Sequence, residues 1–409
     1  MKPRSNFIAL ISADIGSALG SQVSLVAIPW LVLSITGDPT DMGLAVAAEV
    51  IPYLLASMLL TPLADRLGLR RSSVCCDLVS ALSLAAIALM HGTGLGWLLL
   101  LIALTGALRG VGDRTKHVLL RSAAMRAGYP MIRVTSLYEG LSRTSMLIGT
   151  SLGGLLIVWF GARGAVSFDA ASFAVCALVV GGLVAGQPAD PITESAPQER
   201  YLVALRGGFG YLRSDRVLST MLATTFMINF FGNAATTVFI PVWARDVLHS
   251  PEALGFTLGA YAAGALAGTV IFTVLADRVP RYRVFLIGAL ISCAPRLLVV
   301  GLSSNLALVM LVSVIAGLGI ASVNPILGAA MYERVPDGLQ TRVIGLCTTV
   351  SFMGIPIGAL IGGWAVTRFG LHSTLITAAV ICLVINSVPL LDQRRITLGR
   401  PVPAEAGRA

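Results

Sequence analysis

Five carboxylates stand inside stretches that are otherwise apolar, and any chemistry is to be sought there first. Asp14, Glu49, Asp113, Glu139 and Asp169 each lie in or beside an aliphatic run. A charge in such a run is costly and by default marks a pathway or a paired network. An acid shielded from water can load and release a proton near neutral pH. Asp14 and Glu49 have no partner nearby in sequence, so they are the first candidates for proton exchange. Glu139 has Arg143 one turn on. Asp113 has Arg109 and Arg114 within reach, and Asp169 stands near the end of its run, where a structural role is expected. Arg109, Arg143 and Arg296 are the basic counterparts inside apolar segments. Gln22, Asn229, Asn233 and Asn324 suit a cavity lining or interhelical hydrogen bonds. Trp30, Phe226 and Phe230 suit an apolar ligand or plain packing.

The elements that must position these residues are membrane helices. Only 12% of the 409 residues are charged, against about a quarter in soluble domains, and the mean hydropathy is +0.85. That length has room for about twelve spans of roughly 20 residues. The apolar runs predict helices over about 7–35, 41–63, 74–91, 97–120, 135–160, 164–186, 217–244, 251–275, 284–302, 305–329, 341–366 and 371–391. The expected fold is therefore an all-α integral membrane protein of twelve transmembrane helices. The 43 glycines suit close helix packing in lipid.

The net charge of +9 does not point to nucleic acid, because the basic residues fall in short clusters between apolar runs. Of the 29 Lys and Arg, Arg163, Arg245 and Arg368 fall on the side opposite the N-terminus, and Arg109, Arg143 and Arg296 fall inside spans. The others share the side of the N-terminus, which places both termini in the cytoplasm of a multi-pass protein of the cell inner (plasma) membrane. Asp14 interrupts the first apolar run, so a cleaved signal is not expected. The six cysteines lie in apolar segments without metal-ligand spacing. No catalytic constellation appears, and no phosphate loop is present to take ATP. Neither an enzyme nor a cofactor or metal is expected. The expected partners are a small-molecule substrate, protons and the lipid bilayer, with the chain a monomer.

The sequence also repeats itself. Leu63-Ala64-Asp65-Arg66 returns as Leu275-Ala276-Asp277-Arg278, 212 residues later. Gly20 with Gly232, Pro29 with Pro241, and Gly43 with Gly255 share that interval, which argues for an internal duplication. The expected organisation is a six-helix bundle over 1–186, a cytoplasmic linker over 187–216, a second, pseudo-symmetric six-helix bundle over 217–392, and a disordered tail over 393–409. In the linker, Tyr201, Leu202, Leu205, Phe209 and Leu212 recur at helical spacing among Arg200, Arg206 and Arg213, as in a helix lying flat on the membrane. In the repeated loop, Asp65 ends one helix, and Arg66, Arg70 and Arg71 follow across a turn that Gly68 allows. Such a cluster can make charge-assisted bonds to a neighbouring helix and hold one side of a carrier shut.

That loop resembles the signature of the major facilitator superfamily, Gly-x-Leu-Ala-Asp-Arg-x-Gly-Arg-Arg. Leu63, Ala64, Asp65, Arg66, Gly68 and Arg70 match it, with Arg71 following. Thr61 and Leu69 depart from it, and the second copy has Thr273 and Pro280 at the two glycine positions. Within the superfamily the chain is similar to the enterobactin-exporter and macrolide-efflux branch, and especially to Tap-type multidrug efflux pumps. That likeness is carried by Val26-Ala27-Ile28-Pro29-Trp30-Leu31-Val32-Leu33, Tyr138-Glu139, Leu152-Gly153-Gly154, Arg342-Val343-Ile344-Gly345 and Gly370-Leu371-His372-Ser373-Thr374. Gly149, Gly153 and Gly154 resemble the Gly-Pro-x-x-Gly-Gly antiporter motif of exporters, with Thr150 in place of the proline. The resemblance implies a proton-coupled secondary transporter exporting amphipathic drugs or antibiotics by alternating access. A dedicated exporter of a siderophore or secondary metabolite, and a non-transporting receptor on the same fold, are the rival readings.

Overall fold

The computed structural model describes residues 3–60, 68–90, 92, 94–183, 209–276 and 278–391. It opens with α1 (Pro3–Thr36), α2 (Pro39–Leu59), α3 (Leu69–Leu89) and α4 (Leu95–Arg126). Helical structure then runs from Met131 to Leu183, 53 residues in all. At 1.5 Å per residue that is about 80 Å, far beyond the roughly 30 Å of a hydrocarbon core. The run breaks at Gly161, whose φ of 71° and ψ of 171° are not helical; a glycine takes that conformation without steric cost. Two helices therefore meet there, α5 (131–160) and α6 (162–183).

The second half holds α7 (Arg216–Asp246), α8 (Pro251–Leu275), α9 (Arg281–Leu302), α10 (Leu306–Arg334), α11 (Asp337–Phe369) and α12 (Leu371–Leu391). Among the described residues, eleven segments are long and apolar enough to cross a membrane, and the 43-residue one, Gly140–Gly182, spans α5 and α6. The chain is thus an all-helical multi-pass membrane protein. Leu82, Leu178 and Val274 are at least 70% exposed, which only a lipid surround makes favourable. The expected helices differ from the observed ones chiefly at their ends. The fourth runs on to Arg126, and along it Arg109 and Lys116 are paired with acids of other helices. Within α7, Ala235–Phe239 forms a π-helical turn ahead of Pro241. Such a turn accommodates a proline whose ring would otherwise clash with the preceding turn.

Packing partners recur at an interval of six helices. The pairs α1–α5, α2–α4, α3–α4 and α3–α6 return as α7–α11, α8–α10, α9–α10 and α9–α12. Among the described residues the halves meet chiefly along two seams, α2–α11 and α5–α8, with the π-helical turn of α7 also touching α1 and α2. Glycines set these approaches. A Cβ at Gly149 would lie 2.6 Å from Gln22 Cβ, and one at Gly153 would lie 3.1 Å from the Val23 carbonyl, so both face α1. A Cβ at Gly154 would lie 2.3 Å from Gly255 Cα, across the seam. α11 repeats this pattern as Gly358-Ala359-Leu360-Ile361-Gly362-Gly363. Gly358 and Gly362 face α7, while a Cβ at Gly363 would lie 2.4 Å from the Pro39 carbonyl of α2. The repeated glycines Gly43 and Gly255 both lie on seams, Gly43 against Ala359 and Gly255 against Gly154.

Hydrogen bonds between the halves gather at the end away from the termini. The Thr367 hydroxyl donates to Asp38 at 2.6 Å, and the Thr40 hydroxyl donates to Thr367 at 2.9 Å. Arg245 donates to the carbonyls of Leu33 and Gly37 at 3.3 and 3.4 Å. One apolar core continues through that end, with Val26, Val46, Phe231, Val238 and Ala359 all buried in it.

Candidate functional site

Of the expected ionisable residues, Asp14, Glu49, Arg109, Asp113 and Asp169 fall on two levels inside the first half. At the level nearer the joined end, Arg109 of α4 forms an ion pair with Glu49 of α2. The two helices can approach because Gly106 packs directly against the Glu49 carbonyl. Asp169 of α6 is fully buried close by, and its Oδ1 accepts from the Ser172 hydroxyl at 3.2 Å. Arg109 Nε and Asp169 Oδ2 are buried without a hydrogen-bond partner among the described residues.

Two turns further along α4 lies Lys116, only 1% exposed. Its Nζ stands 3.2 Å from Asp77 of α3, 3.6 Å from Asp14 of α1, and 3.7 Å from Asp113 on its own helix. Asp14 and Asp77 are buried, while the Asp113 side chain is 40% exposed. The Phe173 ring lies 5.7 Å from the ammonium on a further side. The Tyr138 hydroxyl of α5 donates to Asp14 Oδ2 at 2.9 Å, and His117 stands 2.6 Å from that hydroxyl. Arg109, Asp113 and Lys116 fall at i, i+4 and i+7, one stripe of α4, so a single helix face serves both levels.

Asp14 and Glu49, without partners nearby in sequence, find them across the fold. Glu49 is paired with Arg109 and Asp14 lies beside Lys116, each partner far away in sequence and brought in by helix packing. Arg109 therefore acts as a counter-ion rather than a free cavity base. The sequence reading passed over Asp77 and Lys116 as site residues. An aspartate beside Cys75 and Cys76 at the start of an apolar helix was the available signal for the first. Of Glu139 and Arg143 the structure describes only the backbone, in α5.

The second half is poorer in charge. Asn229 donates to the Ser351 carbonyl at 2.8 Å, joining α7 to α11, and Asn233 donates to the Asn229 carbonyl at 3.1 Å. Those bonds are structural links within α7 and between neighbours. Phe226 and Phe230 stack at 6.3 Å between centroids on the same face of α7. Trp30 packs half-buried against the main core, and Asn324 is exposed just after the turn at Ala321 and Ser322 that interrupts α10. Arg296 is 3% exposed, and its guanidinium lies 4.5 Å from the Tyr261 ring centroid. Its Nε and Nη2 are buried without hydrogen-bond partners among the described residues.

Of the repeated loop, Asp65, Arg66 and Asp277 lie outside the described residues. Gly68 turns the chain into α3 with a φ of 93°. Arg70 then donates to the carbonyls of Val180 and Gly181 at the end of α6, where a cation meets the negative end of the helix dipole. Arg71 and Arg278 are exposed. The described end of the linker, residues 209–214, is helical, with Leu212 buried and Phe209 exposed. Just beyond it Asp215 caps α7 and bonds Arg334 at 2.7 Å. Burial alone would push the Asp215 carboxyl up, but the Arg334 hydrogen bonds and the amides of Leu218 and Val217 hold it below its ordinary value. The tail over 393–409 lies outside the described residues.

Comparison with known proteins agrees with this architecture. The chain is 28% identical over 397 residues to the multidrug efflux pump Tap of Mycobacterium tuberculosis, covering 95% of this chain and 94% of that protein. It is 26% identical to the multidrug efflux pump Tap of Mycolicibacterium fortuitum, with 96% of each chain covered. Among solved structures, the nucleoside transporter NupG superposes with a TM-score of 0.74 at 13% identity, over 94% of this chain and 98% of that one. A bacterial homologue of the lysosomal transporter Spinster, in an inward-facing conformation, gives 0.73 at 14% identity, over 98% and 99%. The Major Facilitator Superfamily model matches residues 10–253 and 222–409. With both halves of its helical repeat matched in this way, the chain belongs to the major facilitator superfamily and is a transporter rather than an enzyme.

Proposed function

We propose that the chain exports amphipathic small molecules, drugs and antibiotics among them, in exchange for protons. The observation that carries this reading is the cluster of Lys116 with Asp14, Asp77 and Asp113. With all four groups ionised, two negative charges are left over in a site that is largely dry. A proton or a cationic substrate can neutralise that excess, and each makes the other less favourable there. Competition of that kind for one site is what exchange requires. The Glu49–Arg109 pair, with Asp169 beside it, supplies a second charged level on the same face of α4. The relatives named as multidrug efflux pumps support the substrate class.

The two six-helix bundles, joined through 187–216, exchange access by rocking about the α2–α11 and α5–α8 seams, as in other carriers built from repeats. The distribution of Lys and Arg supports a chain in the inner (plasma) membrane with its termini in the cytoplasm. Among the described residues, the hydrogen bonds between the halves lie at the opposite end. The test uses efflux of a fluorescent cation from cells expressing the protein. Efflux should collapse with a protonophore and survive ATP depletion that leaves the pH gradient intact. Asp14→Asn should abolish the gradient-driven component. Efflux that follows ATP and ignores the gradient would refute this reading.

One observation favours a second substrate class. Arg296 is a buried guanidinium without a carboxylate partner among the described residues, which suits an anionic siderophore or secondary metabolite. A panel of cationic, neutral and anionic compounds against cells expressing the wild type or Arg296→Gln separates the two. Loss of protection confined to anions favours the second.

A further inference from the structure

A continuous line of hydrogen bonds leads out of the Lys116 cluster. Tyr138 donates its only hydroxyl proton to Asp14 Oδ2 at 2.9 Å. Toward His117, 2.6 Å away, the same oxygen can then only accept, so His117 Nε2 is the donor. The line reads His117 Nε2–H to Tyr138 Oη–H to Asp14 Oδ2, every donor in place and pointing inward. Its inner end is dry, since Asp14 is 5% exposed and Lys116 beside it 1%.

Its outer end is wet. Arg114, His117 and Arg121 are all exposed, at i, i+3 and i+7 on α4, and so form one stripe. Two guanidinium groups flanking an imidazole are not stable against hydrocarbon. His117 also lies about 33 Å along the axis from Leu95, past the thickness of a hydrocarbon core. The groups bearing on Asp14 from the helices around it are Lys116, Asp113 and His117 of α4 and Tyr138 of α5. Asp77 of α3 and Cys176 of α6 lie behind Lys116.

We propose that His117 and Tyr138 form a proton relay that loads Asp14 from the aqueous side at which His117 is exposed. This rests on reading the Lys116 cluster as the coupling site. The step begins with His117 protonated on both ring nitrogens. The Nε2–H bond breaks as that proton bonds to Tyr138 Oη. The original Tyr138 O–H bond breaks as its proton bonds to Asp14 Oδ2. His117 is left neutral with its proton on Nδ1, Tyr138 is again a neutral phenol, and Asp14 is a neutral acid. A proton from water recharges His117, and no other reactant is needed. Once Asp14 is neutral, Lys116 still has Asp77 at 3.2 Å and Asp113 at 3.7 Å. The cluster therefore keeps a counter-ion for its ammonium in both protonation states.

The experiment follows Asp14 itself and needs no transported substrate. The purified full chain in lipid vesicles is given a downward pH jump, and the carbonyl stretch of newly protonated carboxyl is followed by time-resolved infrared spectroscopy. The band belonging to Asp14 is the one that Asp14→Asn removes. His117→Ala should slow its appearance about tenfold or more, as loss of a positioned acid does, while the pH at which it is half developed stays near the wild-type value. Added imidazole should restore the rate in His117→Ala. It should not do so in Tyr138→Phe, which lacks the central hydroxyl. The relay is overturned by a wild-type rate in His117→Ala, by a slowed rate that imidazole leaves unchanged, or by the absence of a band that Asp14→Asn removes. Failure of gradient-driven efflux, by contrast, would count against the exchange reading while leaving this spectroscopic result standing.

Discussion

Replacing Lys116 by methionine removes the one cation that three carboxylates share. The side-chain length is kept, so the chief change is electrostatic. At 3.2 and 3.6 Å from Asp77 and Asp14, each attraction is about 5 kcal/mol at an effective dielectric near 20. Burying the ammonium costs several kcal/mol and offsets much of that sum, while Asp113, partly in water, adds little. Losing one member of a buried pair nonetheless leaves an uncompensated charge, at about 3–5 kcal/mol. Lys116→Met should therefore destabilise the first half by that amount near neutral pH. A proton can take the place of the lost ammonium, so the deficit should shrink as the pH falls toward about 5. Lys116→Met combined with Asp77→Asn should recover part of it at neutral pH, since one buried charge fewer then lacks a partner. Equilibrium unfolding in mixed micelles at two pH values reads all three variants. A Lys116→Met deficit under about 1 kcal/mol, or one that does not change with pH, would show that the ammonium does not hold the cluster together.

At the joined end, Gly154→Ala would place a methyl 2.3 Å from Gly255 Cα. It should hold the halves apart there, with helical content unchanged, increased labelling of cysteines introduced at that end, and transport lost. Asp38 ties the halves through Thr367, and the Thr367 and Thr40 hydrogen bonds hold its carboxyl below the usual carboxylate range. Its contribution is therefore complete above about pH 4 and lost as the pH falls through the depressed value. Thr367→Val should abolish that acid-dependent loosening, read as the spin-label distance across the seam against pH.

Most of the fold is legible in the sequence because each span is an apolar run closed by Gly, Pro or charge. The junction at Gly161 is legible too: the expected spans end at 160 and begin again at 164, although α5 and α6 meet there without a polar loop. Finding Asp14 and Glu49 needed only their type and surroundings. Their partners could not be found that way, since Glu49 and Arg109 are 60 residues apart and Lys116 and Asp77 are 39. Those pairings depend on which helix faces pack together, and glycines such as Gly106 fix that through backbone approach. The carboxylates around Lys116 are not legible from α4 alone, because nothing in its own helix shows that two other helices each direct an aspartate at it.

The glycine pattern of α5 and its copy in α11 bears on how the two halves differ. Each uses its first two glycines against the leading helix of its own half and its third against the opposite half. Interchanging the halves leaves that arrangement unchanged, so these contacts do not distinguish one half from the other. What distinguishes them is charge: the buried acids around Lys116 lie in the first half and the buried guanidinium of Arg296 in the second. A ligand held between the halves would meet unlike charge on its two sides, within a packing frame that treats both sides alike.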